Sequence, residues 1–349
     1  MEPEISEIFM RRCFHLANFG NGLVSPNPKV GSVIIHDGKI LGEGWHRQFG
    51  MPHAEVNAIN DVPLEKKALL KKSVLYVNLE PCSHTGKTPP CTDLIIRHGI
   101  PHVVIAQSDP NPLVAGKGIQ KLRDAGIQVT TGVLRQEALD LNRSFNYHII
   151  NRKPYVLLKW ASSADGFIGQ PDKQVWLSNA YSRRLSHKWR QECDAILVGT
   201  TTALVDNPAL DNRFYFGKSP VIVVIDRQLV LPHDLRIFQS AGKTIIITEK
   251  KERPLESERI SYICLPFGKK LIPDMLEELY KKNIGLLLVE GGAFTLNEFI
   301  RQDQYQEIRV FQTTGRLEKG ISSPAISLPP DMIKQVDTDE LKVWLKEKG

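Results

Sequence analysis

Residues 53–58 read HAEVNA, and residues 79–91 read LEPCSHTGKTPPC. The two stretches carry one histidine, a glutamate two residues after it, and two cysteines with eight residues between them. Imidazole and thiolate are ligands that zinc prefers in proteins. The two stretches therefore predict that distant segments of the chain meet at one metal ion.

The residue types suit a zinc site with one open position. Catalytic zinc takes three protein ligands, which His53, Cys82 and Cys91 would supply, and binds water at the fourth position. Glu55 is not needed as a ligand, so it can take a proton from that water and pass it to a departing amine. H-x-E followed by P-C-x-x-C is typical of zinc base deaminases, and the gap between the cysteines is longer here. The pattern predicts a zinc-dependent deaminase.

Two alternatives stay open at this point. A structural zinc would need a fourth ligand, and His84 between the cysteines could supply it. A deaminase of a nucleoside, a base or tRNA could carry a second domain that only binds or assembles. The longer gap between the cysteines counts against this second alternative, because such enzymes usually have the short P-C-x-x-C.

Smaller candidates lie beside the predicted zinc site. Asn27 is held between two prolines and could hydrogen-bond a substrate ring, or it could be part of a turn only. His84 and Lys87 could bind a phosphate or a ribose, or they could belong to a solvated loop. His15 and His46 are interpreted as packing histidines.

Length and composition limit the class of protein. A chain of 349 residues exceeds the usual size of one hydrophobic core, so we expect two domains. The net charge of +6 is scattered, which favours a solvated surface or phosphorylated substrates over a nucleic-acid groove. No apolar run approaches the ~20 residues of a membrane helix, and the acidic N-terminus does not resemble an export signal. We therefore expect a cytoplasmic protein without nucleic-acid or membrane partners and without a disulfide framework.

Predicted helices and strands alternate in the first half of the chain. Residues 4–20 have helical spacing, and Asp37-Gly38 predicts a hairpin between strands 30–36 and 39–45. Further strands are predicted at 73–79, 102–107 and 129–133, and further helices at 53 onwards, 92–98, 118–125 and 135–150. This alternation favours helices packed on a sheet with parallel strands.

A basic segment that ends in a proline, residues 151–154, predicts the boundary between domains 1–150 and 151–349. Eight of the ten histidines and three of the five cysteines precede it, so the metal chemistry belongs to the first domain. The second domain is also α/β, with strands at 155–160, 195–198, 221–225, 244–248 and 285–289 and a helix at 178–190. The tail, 319–349, ends in a short helical pattern.

Three segments together resemble the bacterial bifunctional riboflavin-biosynthesis deaminase/reductases. They are SPNPKVG at 25–31, PCSHTGKTPPC at 81–91 and DPNPLVAGKG at 109–118, and the resemblance covers nearly the whole chain. It implies a cytidine-deaminase-like α/β/α sandwich followed by a dihydrofolate-reductase-like α/β domain. The first would deaminate 2,5-diamino-6-(5-phosphoribosylamino)pyrimidin-4(3H)-one with Zn²⁺, and the second would use NADPH to reduce the ribosyl chain of the product. A homo-oligomer acting on small-molecule phosphoribosyl pyrimidines is expected.

The same resemblance implies the binding residues of the second domain. Positions that match the substrate site are Lys159, Ser178, Arg190, Asp206, Asn207, Leu210, Arg213 and Glu290. Positions that match the dinucleotide site are Thr200, Thr201, Gly291 and Gly292. A guanidinium or ammonium group suits the substrate phosphate, and Asp206 can orient the ribose.

Two departures from the family affect the second domain. Phe167 follows Asp165-Gly166 where the family usually has a lysine, which removes one positive charge near the predicted reductase cleft. Residues 311–320 lack the proline-containing strand and glycine turn that are common there. The deaminase motif is intact, so the departures concern the reductase alone.

Overall fold

The computed structural model describes residues 3–84, 89–171, 173–240 and 242–346. The chain divides into two compact units, with the division between Asn151 and Arg152. The hydrophobic clusters of the described residues each belong to one unit. Within the described ranges, no helix has both the length and the apolarity that a membrane crossing requires.

The first unit contains one mixed five-stranded sheet. Its helices are α1 (Pro3–Asn18), α2 (Ala54–Asp61), α3 (Cys91–His98), α4 (Lys117–Asp124), α5 (Arg135–Leu141) and α6 (Arg143–Asn151), with a 3₁₀ helix at Leu64–Lys72. Its strands are β1 (Gly31–His36), β2 (Lys39–Trp45), β3 (Val74–Leu79), β4 (His102–Gln107) and β5 (Gln128–Thr131). The strand order is β2-β1-β3-β4-β5, with β1 antiparallel to β2 and β3, and β3, β4 and β5 parallel.

Apolar side chains cover both faces of this sheet. On one face, residues of α1 and α5 cluster with alternate residues of β1, β3 and β4. On the other face, residues of α2, α3 and α4 cluster with the intervening strand residues. The predicted α/β/α sandwich is confirmed.

Glycines in β2 let α2 lie directly on the sheet. A Cβ at Gly44 would lie 2.3 Å from the backbone nitrogen of Ala58 and 2.5 Å from the carbonyl oxygen of Ala54. Any side chain there would push away the helix whose first turn carries Glu55. Gly44 therefore helps to position the segment that contains His53 and Glu55, although it lies outside the motif.

Most predicted elements of the first unit are confirmed, and one is wrong. The hairpin turns at Asp37 and Gly38, whose φ angles are 46° and 70°. The single helix predicted over 135–150 is instead two helices, α5 and α6, which meet at Asn142. The buried Asn142 side chain accepts from the backbone nitrogen of Lys29 and donates to its carbonyl oxygen, both at 2.9 Å. The helical spacing of apolar residues cannot predict this long-range contact.

The second unit contains a nine-stranded sheet. Its main strands are β6 (Tyr155–Ser162), β8 (Ala195–Gly199), β9 (Val221–Ile225), β10 (Thr244–Thr248), β11 (Ile260–Cys264), β12 (Leu286–Val289), β13 (Glu307–Gln312), β15 (Met332–Val336) and β16 (Asp339–Leu345). The short strands β7 (Phe167–Gly169) and β14 (Ile321–Ser322) pair separately. Its helices are α7 (Ala180–Glu192), α8 (Thr200–Asp206), α9 (Arg236–Gln239), α10 (Leu271–Lys281) and α11 (Ala293–Arg301).

The order of the large sheet is β11-β10-β9-β8-β12-β6-β13-β16-β15, and the strands from β11 to β13 are parallel. After β8 the chain proceeds to β9 on one side, whereas after β12 it proceeds to β13 on the opposite side. Such a reversal opens a crevice at the carboxyl ends of the two strands, which is where open α/β sheets bind ligands. The topology therefore locates a binding site at the ends of β8 and β12.

The tail of the chain differs from its predicted short helical pattern. Residues 332–345 form the hairpin β15–β16, which turns at Asp337 with a φ of 56°. Leu341 and Val343 are buried against Trp189 and Phe311, so the burial alternates with the period of a strand. The divergent segment at 311–320 begins inside β13, which still pairs with β6.

Candidate functional sites

His53, Cys82 and Cys91 meet in the first unit. Their ligand atoms lie within 4.8 Å of one another. The Nδ1 atom of His53 is 3.6 Å from the Cys82 sulfur and 3.3 Å from the Cys91 sulfur. A tetrahedral zinc ion separates a sulfur and a nitrogen ligand by about 3.5 Å, so the donor set and its spacing fit zinc. His84, an exposed residue, is not a member of this cluster.

The local fold brings these three ligands together. His53 immediately precedes α2, Cys91 is the first residue of α3, and Cys82 follows β3. The backbone nitrogen of Cys91 donates to the Cys82 sulfur at 3.3 Å, and that of Thr92 donates to the Cys82 carbonyl oxygen at 3.2 Å. The start of α3 therefore holds the Cys82 loop in place.

The three side chains of the cluster shift one another's pKa values. Hydrogen bonding to Cys91 lowers the pKa of Cys82 to about 4, against the opposing effect of burial, and His53 acts in the same direction. The hydrogen bond to Cys82 raises the pKa of His53 to about 9. Thiolate is the form that binds metal, so Cys82 has the protonation state that a metal ligand needs. His53 and Cys91, whose pKa values are raised, must each release a proton when they bind a metal.

Glu55 lies beside the three ligands and is only 3% exposed. Burial raises the pKa of its carboxyl group, and the nearby His53 opposes this rise. A raised pKa makes it easier for a carboxyl group to hold a proton that it has accepted and then to donate it. The environment of Glu55 therefore suits general acid–base chemistry.

A cavity of about 250 Å³ opens onto the cluster. The predicted residues Asn27 and His84 line it, together with His46, Asp109 and Phe145, which sequence reasoning did not select. Lys87 lies outside the described residues. His46 was interpreted as a packing histidine, and it is indeed buried, but its ring also packs edge-on against His53 at 5.6 Å. His46 is therefore part of the site.

Glu80 holds the loop at one side of this cavity. Its carboxylate accepts hydrogen bonds from the backbone nitrogens of Asp109, Gly116 and Gly118 at 3.0, 2.9 and 2.8 Å. Glu80 stands two residues before Cys82 in the E-P-C motif, but its role depends on a loop about thirty residues further along the chain. Sequence reasoning missed Glu80 for that reason.

The second unit has a cavity of about 720 Å³ at the crevice between β8 and β12. Thr200, Thr201 and Gly292 line it, as the resemblance implies, and Gly291 directly precedes Gly292. These residues start α8 and α11, whose first backbone N–H groups have no partner inside the helix. Helix starts of this kind favour phosphate groups.

The glycines at this crevice allow close packing. A Cβ at Gly291 would lie 2.7 Å from the Cβ of Thr295, and one at Gly199 would lie 2.7 Å from the Thr295 hydroxyl oxygen. A Cβ at Gly292 would lie 3.1 Å from the Thr202 hydroxyl oxygen. The two glycine turns therefore let the starts of α8 and α11 approach each other.

Lys159, Arg190 and Glu290 form a largely buried charge cluster. The Glu290 carboxylate lies 2.6 Å from a terminal nitrogen of Arg190 and 3.8 Å from the Lys159 nitrogen. Burial opposes ionisation of Glu290, but Arg190 and Lys159 lower its pKa to about 2. Burial lowers the pKa of Lys159. The structure thus pairs the two cations with Glu290, which the resemblance also places at the substrate.

The remaining predicted residues have different surroundings. Asp206 lines the second cavity, and burial raises its pKa. Asn207 accepts a hydrogen bond from the backbone nitrogen of Arg236 at 2.8 Å, and Ser178 is half-buried just before α7. Arg213 is paired with Asp211 at 2.5 Å and remains partly exposed. Leu210 is 3% exposed and packs in the core.

The two departures from the family lie near this cavity. Phe167 begins β7, and its neighbours Ile168 and Gly169 line the cavity. The Asp165 carboxylate accepts from the backbone nitrogens of Leu317 and Glu318 at 3.1 and 2.8 Å. Asp165 therefore anchors the divergent segment to the motif that precedes Phe167.

A zinc-ligand cluster with a buried glutamate, followed by an α/β unit with a glycine-lined crevice, is the arrangement expected of a deaminase joined to a nucleotide-binding α/β domain. Comparison with known families agrees. Residues 3–107 match the cytidine and deoxycytidylate deaminase zinc-binding region, and residues 154–314 match the RibD C-terminal domain, an NADPH-dependent reductase family.

Full-length relatives identify the family. The riboflavin biosynthesis protein RibD of Aquifex aeolicus is 40% identical over 92% of this chain and 90% of its own length. The RibD of Escherichia coli is 32% identical over 96% and 94%. The chain belongs to the RibD family of bifunctional deaminase/reductases of riboflavin biosynthesis.

Solved structures agree along the whole chain. A diaminohydroxyphosphoribosylaminopyrimidine deaminase/5-amino-6-(5-phosphoribosylamino)uracil reductase from Thermotoga maritima is 37% identical, with a TM-score of 0.89 over 98% of both chains. RibD of Acinetobacter baumannii is 28% identical, with a TM-score of 0.90 over 99% of both chains. The predicted fold class is confirmed for both domains.

Proposed function

We propose that this chain catalyses two consecutive steps of riboflavin biosynthesis. Residues 1–150 are the deaminase domain, which hydrolyses the 2-amino group from 2,5-diamino-6-(5-phosphoribosylamino)pyrimidin-4(3H)-one. Residues 151–349 are the reductase domain, which uses NADPH to reduce the ribosyl chain of 5-amino-6-(5-phosphoribosylamino)uracil to ribityl. The observation that carries the proposal is the three-ligand cluster beside the buried Glu55, at the edge of a cavity.

In the deaminase domain, His53, Cys82 and Cys91 hold the zinc ion. When bound, zinc activates water for attack on the ring carbon. Glu55 accepts a proton at its carboxylate and delivers it to the departing amine, so the products are ammonia and a ring carbonyl. Asn27 hydrogen-bonds the pyrimidine ring, and His84 and Lys87 bind the ribose phosphate. The shared cavity supports the roles of Asn27 and His84.

In the reductase domain, the protein orients two bound molecules. NADPH supplies the hydride when bound. Its phosphates are held at the two glycine turns by Thr200, Thr201, Gly291 and Gly292. The phosphorylated substrate is held by the remaining set, Lys159, Ser178, Arg190, Asp206, Asn207, Leu210, Arg213 and Glu290. The ion pairs from Lys159 and Arg190 keep Glu290 ionised and oriented for the substrate.

The proposal also includes the cellular location and the assembly of the enzyme. We expect a cytoplasmic homo-oligomer that acts on small molecules and has no nucleic-acid or membrane partner. Light scattering on the purified protein measures the size of the assembly.

The substitution Glu55→Gln tests the deaminase. The variant retains the shape of the side chain but cannot carry the proton, so we expect ammonia release to fall by about 10²- to 10⁴-fold. Zinc content and thermal stability should equal those of the wild type, because Glu55 is not a ligand. Ammonia release is followed with the diaminopyrimidine ribotide, cytidine, guanine and tRNA as separate substrates.

Each alternative function predicts a different experimental result. Turnover of cytidine, guanine or tRNA without turnover of the ribotide would replace the proposed substrate. Full activity of Glu55→Gln would reject the proton-transfer role. For the second domain, NADPH oxidation should require the deaminated ribotide. An absence of oxidation with authentic deaminated substrate would reduce that domain to a binding module.

A further inference from the structure

Two aromatic rings connect two largely buried cations of the second unit. The guanidinium carbon of Arg309 lies 4.5 Å from the centre of the Trp189 ring. The Trp189 ring stacks on the Phe311 ring, with 5.3 Å between the centres and 14° between the planes. The ammonium nitrogen of Lys159 lies 5.8 Å from the centre of the Phe311 ring. This series of contacts therefore ends at Lys159, a residue of the charge cluster with Arg190 and Glu290.

The large sheet brings these residues together. Lys159 of β6 and Arg309 of β13 are paired in register, and Phe311 follows Arg309 by two residues. Because side chains alternate along a strand, all three lie on the same face of the sheet. Trp189 of α7 packs beside Phe311 in one hydrophobic cluster. Sequence reasoning selected Lys159 alone, since its partners belong to segments that are distant in the chain.

An ion pair alone does not fix the position of the Lys159 ammonium group. Its distance of 3.8 Å from the Glu290 carboxylate exceeds the length of a charge-assisted hydrogen bond, about 2.7–2.9 Å. The same carboxylate lies 2.6 Å from Arg190. Burial lowers the pKa of Lys159, Glu290 opposes this shift, and Arg190 adds to it. The ammonium group therefore benefits from a further partner that favours its charged form.

The Phe311 ring has the properties of such a partner. The face of an aromatic ring attracts a cation within about 6 Å, and more strongly where water is excluded. Phe311 is fully buried, and the Lys159 side chain is only 12% exposed. A ring carries no net charge, so it does not neutralise the ammonium group. The charge of Lys159 therefore remains available to a bound molecule.

We propose that Phe311 is a positioning residue of the reductase, whose ring holds the Lys159 ammonium group toward the substrate. This inference rests on the proposed function, which places Lys159 at the substrate. Trp189 stacks on the Phe311 ring and keeps it in place, and Arg309 lies over Trp189 in turn. Because Phe311 is fully buried, it acts through Lys159 and does not touch the substrate.

A fluorinated ring at position 311 tests the contact, because fluorine withdraws electrons from the ring face and nearly preserves its shape. We expect 3,5-difluorophenylalanine in place of Phe311 to lower the pKa of Lys159 further, by about half a unit, since the weaker ring face favours the charged form less. Phe311→Leu removes the ring and should lower this pKa by about one unit. NMR on the full chain with ¹³C at the lysine Cε measures the pKa, and Lys159→Arg identifies the signal.

The kinetic measurement is NADPH oxidation with the deaminated ribotide as substrate. Both changes at position 311 should raise KM by about 2- to 10-fold, with a smaller change in kcat, because the ammonium group is held less firmly. A role of Phe311 in packing alone would leave the pKa of Lys159 and KM unchanged by the fluorinated ring, which still fills the core.

The matched control is 3,5-difluorophenylalanine in place of Phe238. Phe238 also packs against a hydrophobic cluster of the second unit, and it does not line the cavity. Within the described part of the chain, no lysine or arginine lies over its ring. The control should have the pKa of Lys159 and the KM of the wild type.

The two measurements separate this inference from the proposed function. A pKa of Lys159 that does not change with the fluorinated ring at position 311, or that changes equally with the ring at position 238, overturns the role of Phe311 and leaves the reductase intact. A wild type that does not oxidise NADPH with the deaminated ribotide overturns the proposed reductase and, with it, the role of Phe311.

Discussion

At the scale of single residues, His53 and Glu55 of the metal-binding motif lie in different environments. His53 turns its Nδ1 toward two sulfurs, whereas Glu55, two residues later, is buried beside them with a raised pKa. Burial disfavours the charged carboxylate, and this is what suits Glu55 to proton transfer. The spacing in the sequence indicates the pair, but the burial that separates their roles comes from the packing of α2 on β2.

His46 is a further residue whose role comes from its contacts. Its Nδ1 lies 3.1 Å from the carbonyl oxygen of Pro52, which can only accept, so Nδ1 carries the proton. In the neutral ring, Nε2 must then accept, and it lies 3.1 Å from the Nδ2 of Asn27. The Asn27 amide nitrogen is thereby directed to His46. Its oxygen is left to accept a hydrogen bond from the substrate ring.

The variants His46→Gln and His46→Asn test this orientation. Glutamine can present an acceptor near the position of Nε2, whereas asparagine reaches only the position of Nδ1. We expect His46→Asn to raise the KM of deamination by about 2- to 10-fold, as the loss of one hydrogen bond predicts, with a smaller change in kcat. His46→Gln should be closer to the wild type.

Zinc content serves as the control for these two variants, because His46 packs against His53. The orienting role is contradicted if both variants raise KM equally while zinc content is unchanged.

At the scale of elements, the glycine turns define the reductase crevice. Short glycine turns are weak signals in a sequence, since many tight strand–helix turns contain them. Here a Cβ at either Gly199 or Gly291 would clash with the same residue, Thr295 of α11. The two turns are therefore coupled through one side chain, and only the tertiary structure reveals this coupling.

Gly291→Ala should disturb this crevice. The new Cβ would lie 2.7 Å from the Cβ of Thr295, so the start of α11 must shift. We expect a loss of about 1–3 kcal/mol in the free energy of unfolding of the second unit, as for other overpacking changes, and weaker binding of NADPH.

The matched control for Gly291→Ala is Gly268→Ala. Gly268 also lines the cavity, but a Cβ there would meet nothing within 4 Å. Denaturant unfolding and calorimetry with NADPH are compared for the two variants. Equal effects would show that the close approach to Thr295 is unimportant.

Element predictions were right where one element carries its own signal. The hairpin at Asp37-Gly38 and strand β4 appear as predicted, because turn chemistry and apolar runs are local. The break at Asn142 and the hairpin β15–β16 were missed. In the first case the cause is a side chain bound to Lys29, and in the second it is packing on Trp189 and Phe311. Neither cause is present in the local sequence.

At the scale of the whole molecule, each unit has its own core. Clusters of buried side chains cover both faces of the sheet in the first unit and, separately, in the second. A unit with its own core can in principle fold alone.

We therefore expect the fragments 1–151 and 152–349 to fold separately and to divide the activities. The first should bind zinc and release ammonia from the ribotide, and a strong chelator should abolish this activity. The second should bind NADPH with or without the chelator. Circular dichroism, zinc content and the two activity assays measure the outcome. A second fragment that loses NADPH binding when alone would show that the units depend on each other.

The sequence by itself determined the chemistry of the first domain and the alternation of elements in both. Zinc ligands and a proton carrier can be recognised from residue type and spacing, because these properties belong to the side chains themselves. Only the tertiary structure decided which residues surround that chemistry. Glu80 and His46 are examples, because their roles depend on segments that are distant in the chain and adjacent in space.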